Sequence, residues 1–285
     1  MKKFLFPLVI SLAIPFLGYA SEDPVKEGNF ALPDSQTPAP LVSFGQRIIG
    51  DQVTQYYVFG EHSRGKKNRA TEITPFILYG ISDTSTISFN APFAPSMKKG
   101  SHHSRGWEDA SAQIESAVYT KTSKFSSAQA TVVGSMTFPT GSGRKNPPTG
   151  FGAPSFFLGS TYNYTTPNWF GFTSYGSTFT TKHHGKRFGD QILYQAGYGG
   201  NIPSPRDWIY AWMVEFDGTY RLRNKVHGVK KRNSGGNTIL MTPSLWASSE
   251  RWIVQFGVGF PIVQHLFGRQ HKSHYLLTLD LGYTF

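Results

Sequence analysis

The stretch Tyr275-Leu276-Leu277-Thr278-Leu279-Asp280-Leu281-Gly282-Tyr283-Thr284-Phe285 decides the fold class. Its odd positions, Tyr275, Leu277, Leu279, Leu281, Tyr283 and Phe285, are all apolar or aromatic, while Thr278, Asp280, Gly282 and Thr284 fall between them. A period of two marks a strand with one greasy and one wet face. At about 3.3 Å per residue and a tilt of roughly 40°, such a run climbs about 25 Å, the height of the apolar band of a membrane-spanning β-barrel. Rings close both ends of the apolar face and leucines fill its middle. A strand crossing a lipid slab needs that order, because amphipathic rings favour headgroup depth and aliphatic chains favour hydrocarbon.

The composition agrees. The 285 residues include 30 Gly and no Cys, and aromatic residues make up 15%, yet the mean hydropathy is −0.31. A polar inner face diluting a greasy outer one gives that mixture, and a helical membrane protein does not. Without cysteine, neither disulfides nor thiolate metal sites can support the fold. Lys2 and Lys3, the apolar run from Phe4 to Leu17, and Gly18 and Ala20 predict an export signal over 1–20. No other run is long and apolar enough for a spanning helix. Residues 21–51, with Pro24, Pro33, Pro38 and Pro40, read as a periplasmic N-terminal extension, a tether or a segment partly tucked into the barrel mouth.

From residue 52 onward, alternation and turn signals predict twelve strands, at 52–60, 70–80, 84–92, 106–119, 126–139, 152–165, 168–181, 189–200, 206–221, 236–247, 251–263 and 273–285. The seventh is ambiguous, because Phe170, Phe172, Tyr175 and Phe179 do not keep one parity. Long connections at 61–69, 93–105, 140–151, 182–188, 222–235 and 264–272 alternate with short ones at 81–83, 121–125, 166–167, 201–205 and 248–250. The expected fold is an all-β, transmembrane, antiparallel up-and-down barrel over 52–285, with short turns and both ends on the periplasmic side.

The formal net charge is +11, and nineteen Lys and Arg fall in the long connections. On an exported chain this points to anionic lipid rather than nucleic acid. Arg64, Lys66, Lys67, Lys98, Lys99, Lys186, Arg187, Lys230, Lys231 and Arg232 are expected to face lipopolysaccharide phosphates. On the polar side of the strands stand Asp109, Gln113, Glu115, Gln129, Glu215, Asp217, Arg221, Gln255 and Asp280. A charge facing lipid costs a few kcal/mol, so these face the lumen, where they either select a solute or fill the interior. The pairs His102-His103 and His183-His184 lack the spacing of a metal site, since adjacent extended residues point opposite ways. No cofactor or metal is expected. His102 and Ser104 stand two apart, the spacing of lipid-hydrolysing barrels.

Two resemblances follow from these residues. The run ending on Phe285 resembles the closing strand of bacterial outer-membrane proteins, which implies that the barrel-assembly machinery reads that terminal ring. Thr137-Phe-Pro-Thr-Gly-Ser142, followed by Thr149-Gly-Phe-Gly-Ala-Pro154 and Leu158-Gly159, resembles the strand-loop-strand core of the outer-membrane transporter barrels named for the meta pathway of phenol degradation. That resemblance implies uptake of an aromatic or other small hydrophobic compound. Three classes of function are therefore weighed: a diffusion channel in the bacterial outer membrane, a lipid-modifying enzyme, and a surface barrel acting through its basic loops. Conductance, lipid hydrolysis and cell attachment discriminate them in turn.

Overall fold

The computed structural model describes residues 24–204 and 207–285. The signal read at 1–20, residues 21–23 of the extension, and Arg206 at the start of the ninth expected strand lie outside the described residues. Two short 3-10 turns, Gly28–Phe30 and Asp34–Gln36, precede the first strand. The strands begin with β1 (Thr54–Gly65), β2 (Asn68–Ser82), β3 (Ser85–Asn90), β4 (Phe93–Lys99), β5 (His102–Trp107) and β6 (Ser111–Ser123). There follow β7 (Ser126–Thr137), β8 (Ser155–Thr165), β9 (Trp169–Thr180), β10 (Lys182–His183), β11 (Lys186–Arg187) and β12 (Gln191–Ile202). The last are β13 (Ile209–Arg221), β14 (Lys225–Val226), β15 (Val229–Lys230), β16 (Gly236–Ser248), β17 (Trp252–Leu266) and β18 (Ser273–Thr284).

All pairings are antiparallel, and β1 pairs with both β2 and β18, so the sheet closes on itself. β3 and β4 succeed each other along the edge of β2, and β5 runs on into β6. The wall is thus a twelve-stranded antiparallel barrel, as the alternation predicts. No helix among the described residues is long and apolar enough to cross a membrane.

The two faces part as expected. Trp212 and Leu279 are 40% and 42% exposed, whereas Glu215 and Asp280 are 0% and 2% exposed. The outer wall is greasy and the inner wall largely polar. Rings gather near the rim that carries the short turns, with Trp169 stacked on Tyr198, Tyr198 edge-on to Trp212, and Trp252 against Tyr283. In the ambiguous seventh strand Trp169, Tyr175 and Phe179 face outward, while Phe170 and Phe172 are buried inside. They join Tyr57, Leu78, Ile209, Ala211, Met213, Trp246 and Ile253 in an apolar cluster on the inner wall. Ile49, Ala31, Leu32 and Ala39 of the N-terminal segment pack against it. Parity was misleading there because the wall meets protein, not water.

Several of the long connections are shorter than the sequence suggests, whereas the one read at 140–151 is longer and runs over 138–154. β1 and β2 extend to Gly65 and Asn68, which leaves a tight turn where 61–69 reads as a loop. The stretch 93–105 is the β4–β5 hairpin, and β10, β11, β14 and β15 pair into a small separate sheet. Backbone N–H and C=O groups need partners, and extended rim segments find them in one another. His184-Gly185 and His227-Gly228 supply consecutive positive φ angles at the two hairpin turns of that sheet. These histidines are turn residues, and no group of three metal-ligating side chains occurs among the described residues.

Candidate functional site

The lumen is built around the segment that precedes β1. An irregular backbone can enter a barrel only if the wall supplies acceptors for its N–H groups. Glu215, on the inner face of β13, accepts from Leu41 N at 2.8 Å, Val42 N at 3.2 Å and Ser43 N at 3.0 Å. Two residues along, Asp217 accepts from the Ser43 hydroxyl at 2.5 Å and from Gln195 Nε2 at 3.1 Å. The Gln195 side-chain oxygen Oε1 in turn accepts from Phe44 N at 3.2 Å.

Across the lumen, Glu115 of β6 accepts from Gln46 N at 2.7 Å, Arg47 N at 3.3 Å and the Thr131 hydroxyl at 2.6 Å. The chain turns between the two carboxyl groups at Gly45, with φ +80°. A Cβ there would stand 2.4 Å from the Thr161 methyl, so only glycine fits. Phe44 meets Phe157 of β8 edge-on at 4.7 Å. Arg47 lies 5.2 Å from the ring centres of both Tyr57 and Phe76 and 3.9 Å from Asp280. The segment then descends to β1, with Ile49 N donating to Thr86 Oγ1 at 3.2 Å.

The lower end is tied as firmly. Asn29 N donates to Pro167 O at 2.9 Å, Ser248 Oγ to Gln36 O at 2.8 Å, and Gln255 Nε2 to Ala39 O at 3.3 Å. Of the two placements considered for 21–51, the described part takes the tucked-in one, reaching from the short-turn rim to mid-barrel. A cavity of about 380 Å³ remains beside it, bordered by Asp34, Gln46, Arg47, Gln129 and Asn163. Burial raises the Asp34 carboxyl above its ordinary range.

The candidate lumen residues thus separate. Glu115, Glu215, Asp217, Gln255 and Asp280 converge on the N-terminal segment. Gln113 is half-buried, in register with Ser88 and Ser135. Gln129 borders the cavity and sits 3.5 Å from Thr120 Oγ1. Arg221 is at the far rim, donating to Gln191 Oε1 at 3.2 Å. Asp109 lies between β5 and β6 and accepts from Gly141 N at 2.9 Å and Phe151 N at 2.6 Å. It thereby pins the connection that carries the Pro-Thr-Gly and Thr-Gly-Phe-Gly motifs, where Gly141 and Gly150 pass too closely for any Cβ.

The basic candidates separate too. Arg64, Lys66, Lys67, Lys98 and Lys99 cluster at the tips of β1, β2 and β4, and Lys186, Lys230, Lys231 and Arg232 surround the small sheet. Arg187 is held by Asp190 at 2.7 Å. Burial works to raise the Asp190 carboxyl, but hydrogen bonds from Thr180 N–H, Arg187 and the Thr180 hydroxyl outweigh it and hold it below its ordinary value. Ser104 is buried and donates to Pro147 O at 2.7 Å, whereas His102 is exposed.

Sequence reasoning missed Ser43, Arg47, Thr131, Thr161 and Gln195. One signal was available: Leu41-Val42-Ser43-Phe44 and Ile48-Ile49 are too apolar for a solvated tether.

A closed transmembrane barrel with a segment of its own chain inside defines the class by architecture. The fold is shared with an outer membrane channel of Pseudomonas putida F1, with a TM-score of 0.72 at 15% identity over 86% of this chain and 100% of that one. The NanC porin is similar with a TM-score of 0.51 at 10% identity, over 80% of this chain and 98% of the porin. No family model and no curated protein matches the sequence.

Proposed function

We propose that this chain is an outer-membrane channel through which a small solute diffuses, the lumen being narrowed by residues 24–51 of the chain itself. The observation that carries this reading is the anchoring of that segment by Glu215 and Glu115 at mid-barrel, beside a residual cavity of about 380 Å³. A barrel of twelve strands is wider than side chains alone fill, and here the segment takes up the excess. Tyr57, Phe76, Phe157, Phe170, Phe172 and Trp246 turn rings inward around it. Of these, Tyr57 and Trp246 border the residual cavity together with Phe30 of the segment, and with the resemblance at residues 137–159 they favour an aromatic or similarly flat hydrophobic solute. Phe285 is 77% exposed at the end of the closing strand, where assembly machinery could reach it.

Liposome swelling and planar-bilayer recording test the reading. The full chain is expected to admit a small aromatic acid and exclude oligosaccharides. A variant lacking residues 24–49 should raise both the rate and the size limit. No swelling and no conductance from either protein would overturn it. A hydrolytic role for His102 and Ser104 gains nothing from the geometry, because the hydroxyl is committed to a backbone carbonyl.

A further inference from the structure

Four cationic or titratable side chains form one row across the outer wall at the long-connection rim. In register, Arg64 of β1 opposes Arg69 of β2, Arg69 opposes Lys98 of β4, and Lys98 opposes His103 of β5. Register partners project to the same face. Arg64 shares the parity of Tyr56 and Val58, and Arg69 that of Ile73 and Ile77, all exposed on the lipid side. Arg64, Arg69, Lys98 and His103 are themselves exposed.

Like charges directly across a sheet repel, and this row places three in succession. Among the described residues none of them has an ion-pair partner, since the two ion pairs lie at Arg47–Asp280 and Arg187–Asp190. Lys66, Lys67 and His271 enclose the same corner, forming an open recess of about 810 Å³ with no acidic side chain on its walls. Such an arrangement calls for a counter-charge from outside the chain. Its depth indicates which. Tyr275 is the register partner of Arg64 on β18, and an outward tyrosine at the end of an apolar strand sits at headgroup level. Further down the same outer face lie Leu277, Ile73 and Val58, exposed and suited to acyl chains.

We propose that Arg64, Arg69 and Lys98 form a lateral binding site for a phosphorylated lipid headgroup, whose phosphates bridge adjacent strands. The two guanidinium forks hold phosphate oxygens in pairs and Lys98 adds a point charge. The proposal rests on the outer-membrane placement but not on the channel reading.

The test uses the purified full chain in detergent. Native mass spectrometry measures its binding to a diphosphorylated glycolipid, to the same lipid after dephosphorylation, and to inorganic pyrophosphate as competitor. Wild type is expected to bind the phosphorylated lipid about tenfold more tightly than the dephosphorylated one. The variant R64Q/R69Q/K98Q should lose about that factor, while K121Q/K124Q/R251Q, which removes as many charges at the opposite rim, should not. Solute uptake by both variants should match wild type, which keeps this outcome separate from the channel test. Equal binding by wild type and R64Q/R69Q/K98Q, equal binding of both lipids, or equal loss in the opposite-rim variant would each overturn the site, whereas displacement by excess pyrophosphate is expected, because it offers the same phosphate oxygens. If the triple variant does not fold, R69Q alone serves, because Arg69 has a cation on either side.

Discussion

Glu215 and Glu115 explain how an irregular chain survives inside a barrel. Each gathers consecutive backbone N–H groups that would otherwise be buried without acceptors, at a cost of about 1–3 kcal/mol apiece. Gly45 makes the arrangement possible by turning the chain between them. Gly45→Ala combines a left-handed backbone, worth about 1–2 kcal/mol, with a collision at the Thr161 methyl. The Gln46 and Arg47 amides should then exchange hydrogen at least tenfold faster, measured by mass spectrometry, with the strands unaltered. Wild-type rates at these amides would show that the turn is not required. The carboxyl groups themselves were legible, because Glu115, Glu215 and Asp217 keep the polar parity of their strands. Their partners were not, since a segment without secondary structure leaves no period in the sequence.

Among the elements, β18 was read correctly residue by residue: Leu277, Leu279 and Leu281 face out, and Thr278, Asp280 and Gly282 face in. Leu279→Arg therefore places a charge in hydrocarbon and should destabilise the barrel by about 2–4 kcal/mol, seen as a lower denaturant midpoint for refolding into lipid vesicles. Gln113→Arg, on the inner face of β6, should cost far less. Equal losses would mean that the two faces are not what their exposure indicates. Parity failed where the inner wall is apolar and at bulges such as the one in β6 that leaves Val118 and Tyr119 both exposed. Phe170 and Phe172 look like lipid-facing residues until the N-terminal segment is placed against them. The loops at 182–188 and 222–235 were overestimated for a related reason: the rim segments at 182–187 and 225–230 pair only with each other, and two-residue strands carry no detectable alternation.

For the whole molecule, two kinds of cohesion coexist. The wall is a closed ladder in which β1 is bound on both edges, so no strand can leave without breaking two sets of backbone bonds. The inner segment is held chiefly by side chains reaching to it. Denaturant titration should accordingly show two stages, with protease sites in 36–49 exposed well before the strands lose their amide protection. A single coincident transition would mean that barrel and segment form one cooperative unit. The overall barrel was visible in the sequence through twelve alternating runs, whereas what occupies its interior depended on contacts between residues as far apart as Leu41 and Glu215.

The segment passes into β1 through 50–53 without a break, with Gln52 N bonded to Gly80 O and Gly80 N to Val53 O. A loosened segment therefore stays anchored at the mouth it left, at the millimolar effective concentration typical of short tethers. Its departure and return are first-order events, indifferent to how many copies the membrane holds, and each barrel keeps its own stopper through any number of openings.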